Sequence, residues 1–317
     1  MSTMSTMRAS VLPDFERQPT LANIPMPEAK PGEVLVRVRA ASVNGVDLSI
    51  ASGQLQGMLE YDFPVVLGKD FAGTVEAVGA EVTDFDAGER VFGVVSDPSP
   101  LSSRSFAEYL AAPAGPNLTR VPEGVDFAAA GVLGLAGSAA LQAVDAVAPA
   151  AGETVLISGA TGGVGAYVVQ LVAARSATVI ATAKPGDEEN FVRELGASHG
   201  VDYTGDVAEQ VREIRPGGVE AVLHFAGDGA ALGELLVSGG RLASTLIMSP
   251  DQLPVPNASV SGVFANPDAA TLDRLAAEVA AGRLKTPIQR TYRLDEVGQA
   301  MADFAAGTRG KLAVFVS

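Results

Sequence analysis

The chain has 317 residues, and its 37 acidic residues exceed its 22 basic residues, so the formal net charge is −15. A protein that binds nucleic acid needs a basic surface, so this charge argues against a nucleic-acid partner. Cysteine is absent and histidine occurs only at His199 and His224, which excludes disulfides, cysteine nucleophiles and cysteine-ligated zinc. The composition is 47% hydrophobic and 19% charged, as in globular proteins, and the length suggests about two domains.

An uncharged stretch between Asp126 and Asp145 raises the question of a membrane span. It consists mostly of Ala and Gly, contains Ser138 and Gln142, and lacks aromatic belts and basic flanks. The N-terminal residues also lack the apolar segment of a signal peptide. We therefore expect a buried helix in a soluble, cytoplasmic protein with no membrane partner.

The first part of the chain has the pattern of β-strands. Valines alternate with polar residues over Glu33–Val43, which predicts a half-buried strand. Glycines bracket apolar runs over Gly68–Gly79 and Gly88–Val95, and this pattern predicts a β-rich, partly open barrel. Prolines and serines over Asp97–Ser105 predict a loop.

After Gly124, short apolar runs alternate with helical patterns. Strands are predicted over Thr154–Ile157, Thr178–Thr182, Ala221–Phe225 and Arg241–Thr245, and helices over Gly163–Arg175, Glu188–Leu195, Val207–Ile214 and Ala230–Val237. Because parallel strands need crossover connections, this alternation predicts a parallel sheet covered by helices on both faces. His199, beside Gly200, is expected in a solvated turn.

The C-terminal part returns to a different pattern. A helix is predicted to begin after Asp268 and stop at Gly282, a second helix covers Asp295–Gly307, and Lys311–Val316 is predicted as a strand. This strand has no evident partner in the middle of the chain, so we place it with the N-terminal barrel. The predicted domains are therefore residues 1–123 together with 266–317, and residues 124–265.

The segment Thr154–Gly165 is a strand that ends in a glycine turn and opens directly into a helix. In such a turn Gly162 lets the backbone approach a pyrophosphate, and Gly165 lets the helix pack on the strand. The unpaired N–H groups at the helix start attract the anion. Ala160 replaces the first glycine of the G-x-G-x-x-G pattern, but the surrounding strands and helices still predict dinucleotide binding.

The end of the next strand indicates which dinucleotide is bound. After Thr178–Thr182 come Ala183 and Lys184, with no acidic residue to hold the ribose hydroxyls of NAD. Lys184 offers a positive charge for the additional phosphate of NADP, so NADPH is favoured, and a surface lysine without a role is the alternative. The acidic residues 187–189 are interpreted as complementing the start of the following helix.

Seven segments in series carry a resemblance to a known family. They are Pro31–Val38, Ala41–Asp47, Pro64–Gly73, Phe106–Tyr109, Gly159–Gly165, Glu194–Ala197 with Val201–Tyr203, and Arg309–Lys311. In their order and spacing the sequence resembles the medium-chain dehydrogenase/reductase superfamily, in its zinc-independent quinone oxidoreductase and enone reductase branch. The resemblance implies a Rossmann-type doubly wound parallel sheet inserted in a β-rich, GroES-like barrel domain. Lys69 and Asp70 stand where the zinc alcohol dehydrogenases have a His-Glu pair, so no metal is expected.

The resemblance also implies which residues bind NADPH. They are Asn44, Thr161, Gly162, Gly163, Val164, Ala183, Lys184, Tyr203, Phe264, Ala265, Gly310 and Lys311. Lys184 and Tyr203 would hold the 2′-phosphate, Asn44 would lie beside the nicotinamide, and Lys311 would close over the cofactor. Alternatives stay open: Tyr203 as an ordinary strand-end aromatic, Asn44 as the cap of a turn, and Phe264 as a core residue.

The sequence departs from the family pattern in three places. Gly134–Ser138 replaces a Gly-Leu-Thr-Ala-Tyr segment, His224 stands where an aspartate is common, and Ser49 stands where a lysine is frequent. His224, at the end of an apolar strand, is interpreted either as a general acid or as a structural residue at the edge of the core. These departures concern the substrate pocket rather than the cofactor.

The activity implied is hydride transfer from NADPH to an activated C=C bond of an enone or enal, or to a quinone. Without a metal, the developing oxyanion needs hydrogen-bond donors, and Asn44 and Tyr61 are the candidate catalytic residues. A surface-loop aromatic is the alternative for Tyr61. A catalytically idle NADPH-binding protein is the alternative function. A short-chain dehydrogenase is excluded because no tyrosine is followed four residues later by lysine.

The predicted partners are a small-molecule substrate and a second copy of the chain. Ala258–Phe264 has the pattern of the last strand of the nucleotide-binding sheet. An apolar edge strand must be paired or covered, and in related proteins it pairs with its twofold mate, so we expect a homodimer.

Overall fold

The computed structural model describes residues 5–15, 17–95, 101 and 104–317. The chain divides into two units, which we call unit 1, Met1–Leu135 with Pro267–Ser317, and unit 2, Ala136–Asn266. Most of the predicted loop Asp97–Ser105 lies outside the described residues.

The N-terminal part of unit 1 is rich in strands. Its elements are β1 (Thr6–Leu12), β2 (Thr20–Pro25), β3 (Glu33–Ser42), α1 (Gly45–Ala51), β4 (Val65–Val66), β5 (Asp70–Val78), β6 (Arg90–Val94), β7 (Tyr109–Pro113), β8 (Leu118–Arg120) and α2 (Phe127–Gly131), with α3 (Gly134–Val147) following across the division between the units. The alternation in β3 buries Val34, Val36 and Val38 in the core of the unit. The uncharged stretch that raised the membrane question forms α2 and α3, and no helix of the described residues is long and apolar enough to cross a membrane.

Unit 2 alternates strands and helices. Its further elements are β9 (Thr154–Ser158), α4 (Gly163–Ala173), β10 (Thr178–Thr182), α5 (Asp187–Glu194), β11 (His199–Val201), α6 (Val207–Ile214), β12 (Val219–His224), α7 (Gly229–Gly233), β13 (Leu236–Ser244) and β14 (Ser259–Gly262). The strands are parallel in the order β11-β10-β9-β12-β13-β14. This order confirms the predicted doubly wound sheet, and it reverses between β9 and β12, where such sheets bind ligands at the carboxyl ends of the strands.

Two local predictions in unit 2 were wrong. The helix predicted over Ala230–Val237 ends at Gly233, and Leu236 already belongs to β13, where it pairs with Val219 of β12. A short apolar run has no periodicity that separates a buried helix from a buried strand, so the pairing partner decided the outcome. His199 lies in β11 beside Ile180, half-buried, rather than in a solvated turn.

The C-terminal part returns to unit 1. It contains α8 (Ala269–Ala280), β15 (Ile288–Arg293), α9 (Val297–Ala305) and β16 (Lys311–Phe315). The side chain of Asp268 accepts a hydrogen bond from the Thr271 N–H at 2.8 Å and so caps α8. Strand β16 pairs with β3 in the sheet β15-β16-β3-β5-β6-β8, which confirms that the final strand joins the N-terminal β-structure.

Candidate functional site

The glycine turn of unit 2 joins the carboxyl end of β9 to α4. Gly159 has a φ of +70°, which L side chains rarely adopt. A Cβ on Gly165 would overlap the carbonyl oxygen of Gly159 and lie 2.7 Å from Ala160 Cα, so this glycine lets α4 pack against the turn. Among the described residues, a Cβ on Gly162 would meet only the Gly159 oxygen within 4 Å, at 3.4 Å, so the surface above Gly162 is open.

The residues predicted to cradle a pyrophosphate lie together at this turn. They are Thr161, Gly162, Gly163 and Val164, and Gly162 is the N-cap of α4. The first N–H groups of a helix have no intrahelical partner and attract anions. The turn also follows β9, beside the point where the strand order reverses. These residues therefore fit the diphosphate of a dinucleotide.

The structure brings Lys184 and Tyr203 together at the end of β10. Ala183 is buried directly after that strand, whereas Lys184 is exposed. The ammonium of Lys184 lies 5.2 Å from the centre of the Tyr203 ring, which is 45% exposed. Hydrogen bonding to Tyr203 is the largest cause of a raised pKa of Lys184, so the side chain stays cationic at neutral pH.

Sequence reasoning missed the residue that joins this pair. The Glu188 carboxylate accepts the backbone N–H of Lys184 at 3.0 Å and the hydroxyl of Tyr203 at 3.3 Å. The sequence spacing could have indicated this contact, since Glu188 follows Lys184 by four residues. Glu188 was attributed instead to the start of α5, in whose first turn it does lie.

Phe264 and Ala265 follow β14 at the carboxyl edge of the same sheet. The Phe264 side chain is 53% exposed, so the alternative that placed it in the core is wrong. Ala265 is half-buried.

His224, at the end of β12, is buried and has a partner at each ring nitrogen. Its Nδ1 lies 3.0 Å from the Ser244 hydroxyl and its Nε2 lies 3.1 Å from the carbonyl oxygen of Gly227. A carbonyl can only accept, so Nε2 donates to Gly227, and in the neutral imidazole Nδ1 accepts from the Ser244 hydroxyl. Ser244 Oγ in turn accepts the N–H of Leu246 at 3.0 Å. This arrangement supports the structural interpretation of His224.

In unit 1, Asn44 lies in a buried polar group that we call the Asn44 cluster: Ser42, Asn44, Asp70 and Lys311. The Lys311 ammonium donates to Asn44 Oδ1 at 2.6 Å and to the Val43 carbonyl at 3.3 Å. Asn44 Nδ2 donates to Asp70 Oδ2 at 2.9 Å, and the Ser42 hydroxyl donates to the same oxygen at 2.5 Å. Lys311 Nζ lies 3.7 Å from that oxygen. Burial lowers the pKa of Lys311, and the charge of Asp70 opposes this effect.

These contacts fix the orientation of the Asn44 amide. Asn44 is the N-cap residue of α1, but its side chain is bonded within the cluster rather than to the helix. The ammonium of Lys311 is likewise used inside unit 1. Gly310 has a φ of +83°, and a Cβ there would overlap the carbonyl oxygen of Pro287, so a close backbone approach requires this glycine. Contact of Asn44, Gly310 and Lys311 with a cofactor stays a prediction.

Asp47, in α1, is a second buried carboxylate that sequence reasoning did not single out. It accepts the backbone N–H groups of Asn44 at 2.8 Å and of Gly68 at 3.0 Å. Burial raises its pKa to about 6, opposed by the two backbone hydrogen bonds and by the charge of Arg104. Asp47 thus ties the start of α1 to the segment that precedes β5.

Tyr61 places a buried hydroxyl in unit 1 that has no hydrogen-bond partner among the described residues. Its ring stacks on Phe63 with centroids 5.7 Å apart and meets the edge of Phe15 at 4.8 Å. Burial raises the pKa of Tyr61, and the charge of Arg104 opposes this effect, so the hydroxyl is protonated at neutral pH. Tyr61 itself is half-buried between the exposed residues Glu60 and Asp62, and no hydrogen bond links it to Asn44.

The residues at the position of the zinc ligands do not fit a zinc ion. Asp70 accepts hydrogen bonds from Ser42, from Asn44 and from the backbone N–H of Leu135 at 2.7 Å, and the ammonium of Lys311 lies beside it. Within the described ranges, no three His, Cys, Asp or Glu side chains are grouped so that they could hold a metal ion.

Two family models match the chain. The alcohol dehydrogenase GroES-like domain matches residues 30–123, and the zinc-binding dehydrogenase model matches residues 195–314. The first match covers the strand-rich part of unit 1 and confirms its predicted GroES-like character.

Individual proteins are similar over most of the length. The chain is 30% identical to the quinone oxidoreductase of Sus scrofa, over 98% of this chain and 97% of that protein. It is 34% identical to the chloroplastic NADPH-dependent alkenal/one oxidoreductase of Arabidopsis thaliana, over 65% of this chain and 54% of that protein. The solved structure of the quinone oxidoreductase from Coxiella burnetii matches with a TM-score of 0.89 at 27% identity, covering 99% of this chain and 100% of that chain.

Proposed function

Since the chain belongs to the medium-chain dehydrogenase/reductase superfamily and is an oxidoreductase of nicotinamide cofactors, we propose that it uses NADPH to reduce an activated C=C bond or a quinone without a metal ion. The observation that carries the proposal is the glycine turn, with its open surface above Gly162 at the start of α4. The names of the relatives from Sus scrofa and Arabidopsis thaliana support the substrate classes, namely quinones, enals and enones.

The proposed cofactor contacts in unit 2 follow from charge and exposure. The residues 161–164 hold the diphosphate, because helix N-termini bind anions. The exposed ammonium of Lys184 and the hydroxyl of Tyr203 hold the 2′-phosphate, which favours NADPH over NADH. Phe264 offers an exposed aromatic face at the carboxyl edge of the sheet for the nicotinamide end.

The proposed chemistry needs a hydrogen-bond donor for the substrate oxygen. Bound NADPH would supply the hydride, and negative charge would build on the conjugated oxygen. Tyr61 donates to that oxygen, since its hydroxyl is protonated and has no other partner among the described residues. Asn44 is the second donor to the substrate oxygen. To donate there, its Nδ2 would exchange the long 3.3 Å hydrogen bond to the Ser42 carbonyl for a bond to the substrate.

Oxidation of NADPH in the presence of small enones, enals and quinones tests the proposal. We expect turnover of at least one class, and a kcat about 100-fold lower in Tyr61→Phe with unchanged NADPH binding, as for the loss of an oxyanion donor. Tyr109→Phe, at a half-buried tyrosine of β7, is the matched control and should leave kcat unchanged. Tight NADPH binding without turnover of any substrate would instead support a catalytically idle NADPH-binding protein.

We also propose a homodimer formed along β14. This strand lies at the edge of the parallel sheet, and an exposed edge is a template for pairing with another strand. Leu246, Met248 and Phe264, all in unit 2, are 56%, 62% and 53% exposed. Sedimentation of the wild-type chain at micromolar concentration should give a dimer, and a monomer would overturn this proposal.

A further inference from the structure

The Glu188 carboxylate lies against the two residues proposed to hold the 2′-phosphate. One oxygen accepts the backbone N–H of Lys184 at 3.0 Å, and the other accepts the hydroxyl of Tyr203 at 3.3 Å. Glu188 is half-buried in the first turn of α5, whereas Lys184 and Tyr203 are exposed. A carboxylate therefore already uses the Tyr203 hydroxyl that a phosphate would need.

The charges around Lys184 are mainly negative. Its ammonium lies over the Tyr203 ring, and the carboxylates of Glu188 and Asp202 both stabilise its charged form. A phosphate monoester brings a charge of roughly −1.5 to −2 near neutral pH. Like charges a few ångströms apart repel, so a 2′-phosphate at Lys184 is opposed by Glu188 as well as attracted by Lys184.

We propose that Glu188 is a specificity-determining residue that limits the preference of this chain for NADPH over NADH. It competes with the 2′-phosphate for the Tyr203 hydroxyl and repels that phosphate by its charge. Glu188 favours binding of NADH, because a carboxylate near the end of β10 accepts hydrogen bonds from the ribose hydroxyls. The inference rests on the proposed cofactor site and extends it: the chain accepts both dinucleotides.

The neighbouring Glu189 provides a matched control. It lies in the same first turn of α5, so its charge interacts with the helix dipole in the same way. Its carboxylate, however, pairs with Arg193 at 2.8 Å rather than with Lys184 or Tyr203. If Glu188 only stabilises the helix, replacing Glu188 or Glu189 should have the same effect. If Glu188 sets the choice of cofactor, only its replacement should change that choice.

The experiment measures binding of two adenosine fragments to the full-length protein by calorimetry. Adenosine 2′,5′-bisphosphate carries the 2′-phosphate and adenosine 5′-monophosphate lacks it, so the ratio of their Kd values isolates this subsite. We expect Glu188→Gln to shift the ratio toward the bisphosphate about tenfold, or about 1.4 kcal/mol. We expect Glu189→Gln to shift it less than about twofold. The Glu188→Gln effect should shrink at high salt, because exposed charges are screened.

The outcomes separate the inference from the proposed function. An equal ratio in Glu188→Gln and Glu189→Gln, with both fragments bound, overturns the inference and leaves the cofactor site standing. Failure of the wild-type chain and both variants to bind either fragment overturns both. Glu188→Gln could show the tenfold shift while the wild-type chain reduces no enone, enal or quinone with NADPH. This result supports the role of Glu188 and overturns the reductase proposal.

Discussion

Replacing Lys311 by Met tests how strongly the Asn44 cluster stabilises unit 1. Methionine keeps an unbranched apolar side chain and removes the ammonium. The variant loses the hydrogen bond to Asn44 Oδ1 at 2.6 Å, the bond to the Val43 carbonyl at 3.3 Å and the ion pair with Asp70 at 3.7 Å. Lys311 is 2% exposed, so water does not replace these partners.

The expected loss in the free energy of unfolding is about 3 kcal/mol. Removing one member of a buried ion pair costs about 3–5 kcal/mol, because the other charge stays out of water without compensation. Asp70 keeps hydrogen bonds from Ser42, from Asn44 and from the backbone of Leu135, so the lower end of that range applies.

Urea unfolding of the full-length chain measures this loss. The chain contains no tryptophan, so far-ultraviolet circular dichroism and tyrosine fluorescence are the signals. Proteins with more than one domain often unfold in separate transitions, and the loss is expected in only one of them. Lys30→Met, at an exposed lysine of the same unit, should change the free energy by no more than about 0.5 kcal/mol.

A double variant isolates the pair itself. Asp70→Asn leaves the Lys311 ammonium without its carboxylate, and Lys311→Met with Asp70→Asn leaves neither charge buried. The double variant should be more stable than the sum of the two single losses predicts, by about 1–3 kcal/mol. Additive losses, or a loss in Lys311→Met below about 1 kcal/mol, would refute the reasoning.

Three further predictions concern the turn, the buried acid and the tyrosine. Gly165→Ala, whose Cβ overlaps the Gly159 oxygen, should destabilise unit 2 by about 2 kcal/mol, as measured by thermal melts. Gly162→Ala should leave the stability unchanged and weaken NADPH binding about tenfold, as measured by cofactor titration. A destabilised Gly162→Ala variant with normal NADPH binding would contradict this assignment. Burial raises the pKa of Asp47 from 3.8 to about 6. The contribution of Asp47 to the free energy of unfolding is therefore complete below pH 3.8 and is lost as the pH rises through 6. The unfolding free energy of the wild type relative to Asp47→Asn should therefore fall by about 3 kcal/mol over this window, and a flat difference contradicts the assignment. Tyr61→Phe should unfold in urea within about 0.5 kcal/mol of the wild type, since the lost hydroxyl has no partner among the described residues; a larger loss would reveal a structural bond.

The parts of the fold that sequence reasoning predicted are those whose constraints are local. The glycine turn was predictable because Gly165 packs against the backbone of Gly159 and Ala160 within one strand-turn-helix unit. The order of strands and helices in unit 2 followed for the same reason, since each crossover is short. The end of α7 was missed because Leu236 became a strand residue through its pairing with Val219 of another strand.

The Asn44 cluster was not predictable in the same way. Asn44 is separated from Asp70 by 26 residues and from Lys311 by 267 residues, so no spacing rule links them. The family resemblance named Asn44 and Lys311 as cofactor residues, but it carried no statement that they bond to each other. Their contact depends on β16 lying beside β3, which only the three-dimensional structure shows.

Lys184 and Lys311 show why a charge in a sequence does not define its own role. Lys184 was assigned to the cofactor because it follows the strand Thr178–Thr182 where no acidic residue stands, and Lys311 was assigned through the family resemblance. Lys184 is exposed beside Tyr203, where its charge can reach a ligand, whereas Lys311 is 2% exposed and donates to Asn44. Burial therefore separates a lysine that is available to a phosphate from one whose charge is used to orient an amide. In the proposed cofactor site, the Glu188 carboxylate that accepts the Lys184 backbone N–H would oppose a phosphate that the Lys184 ammonium attracts.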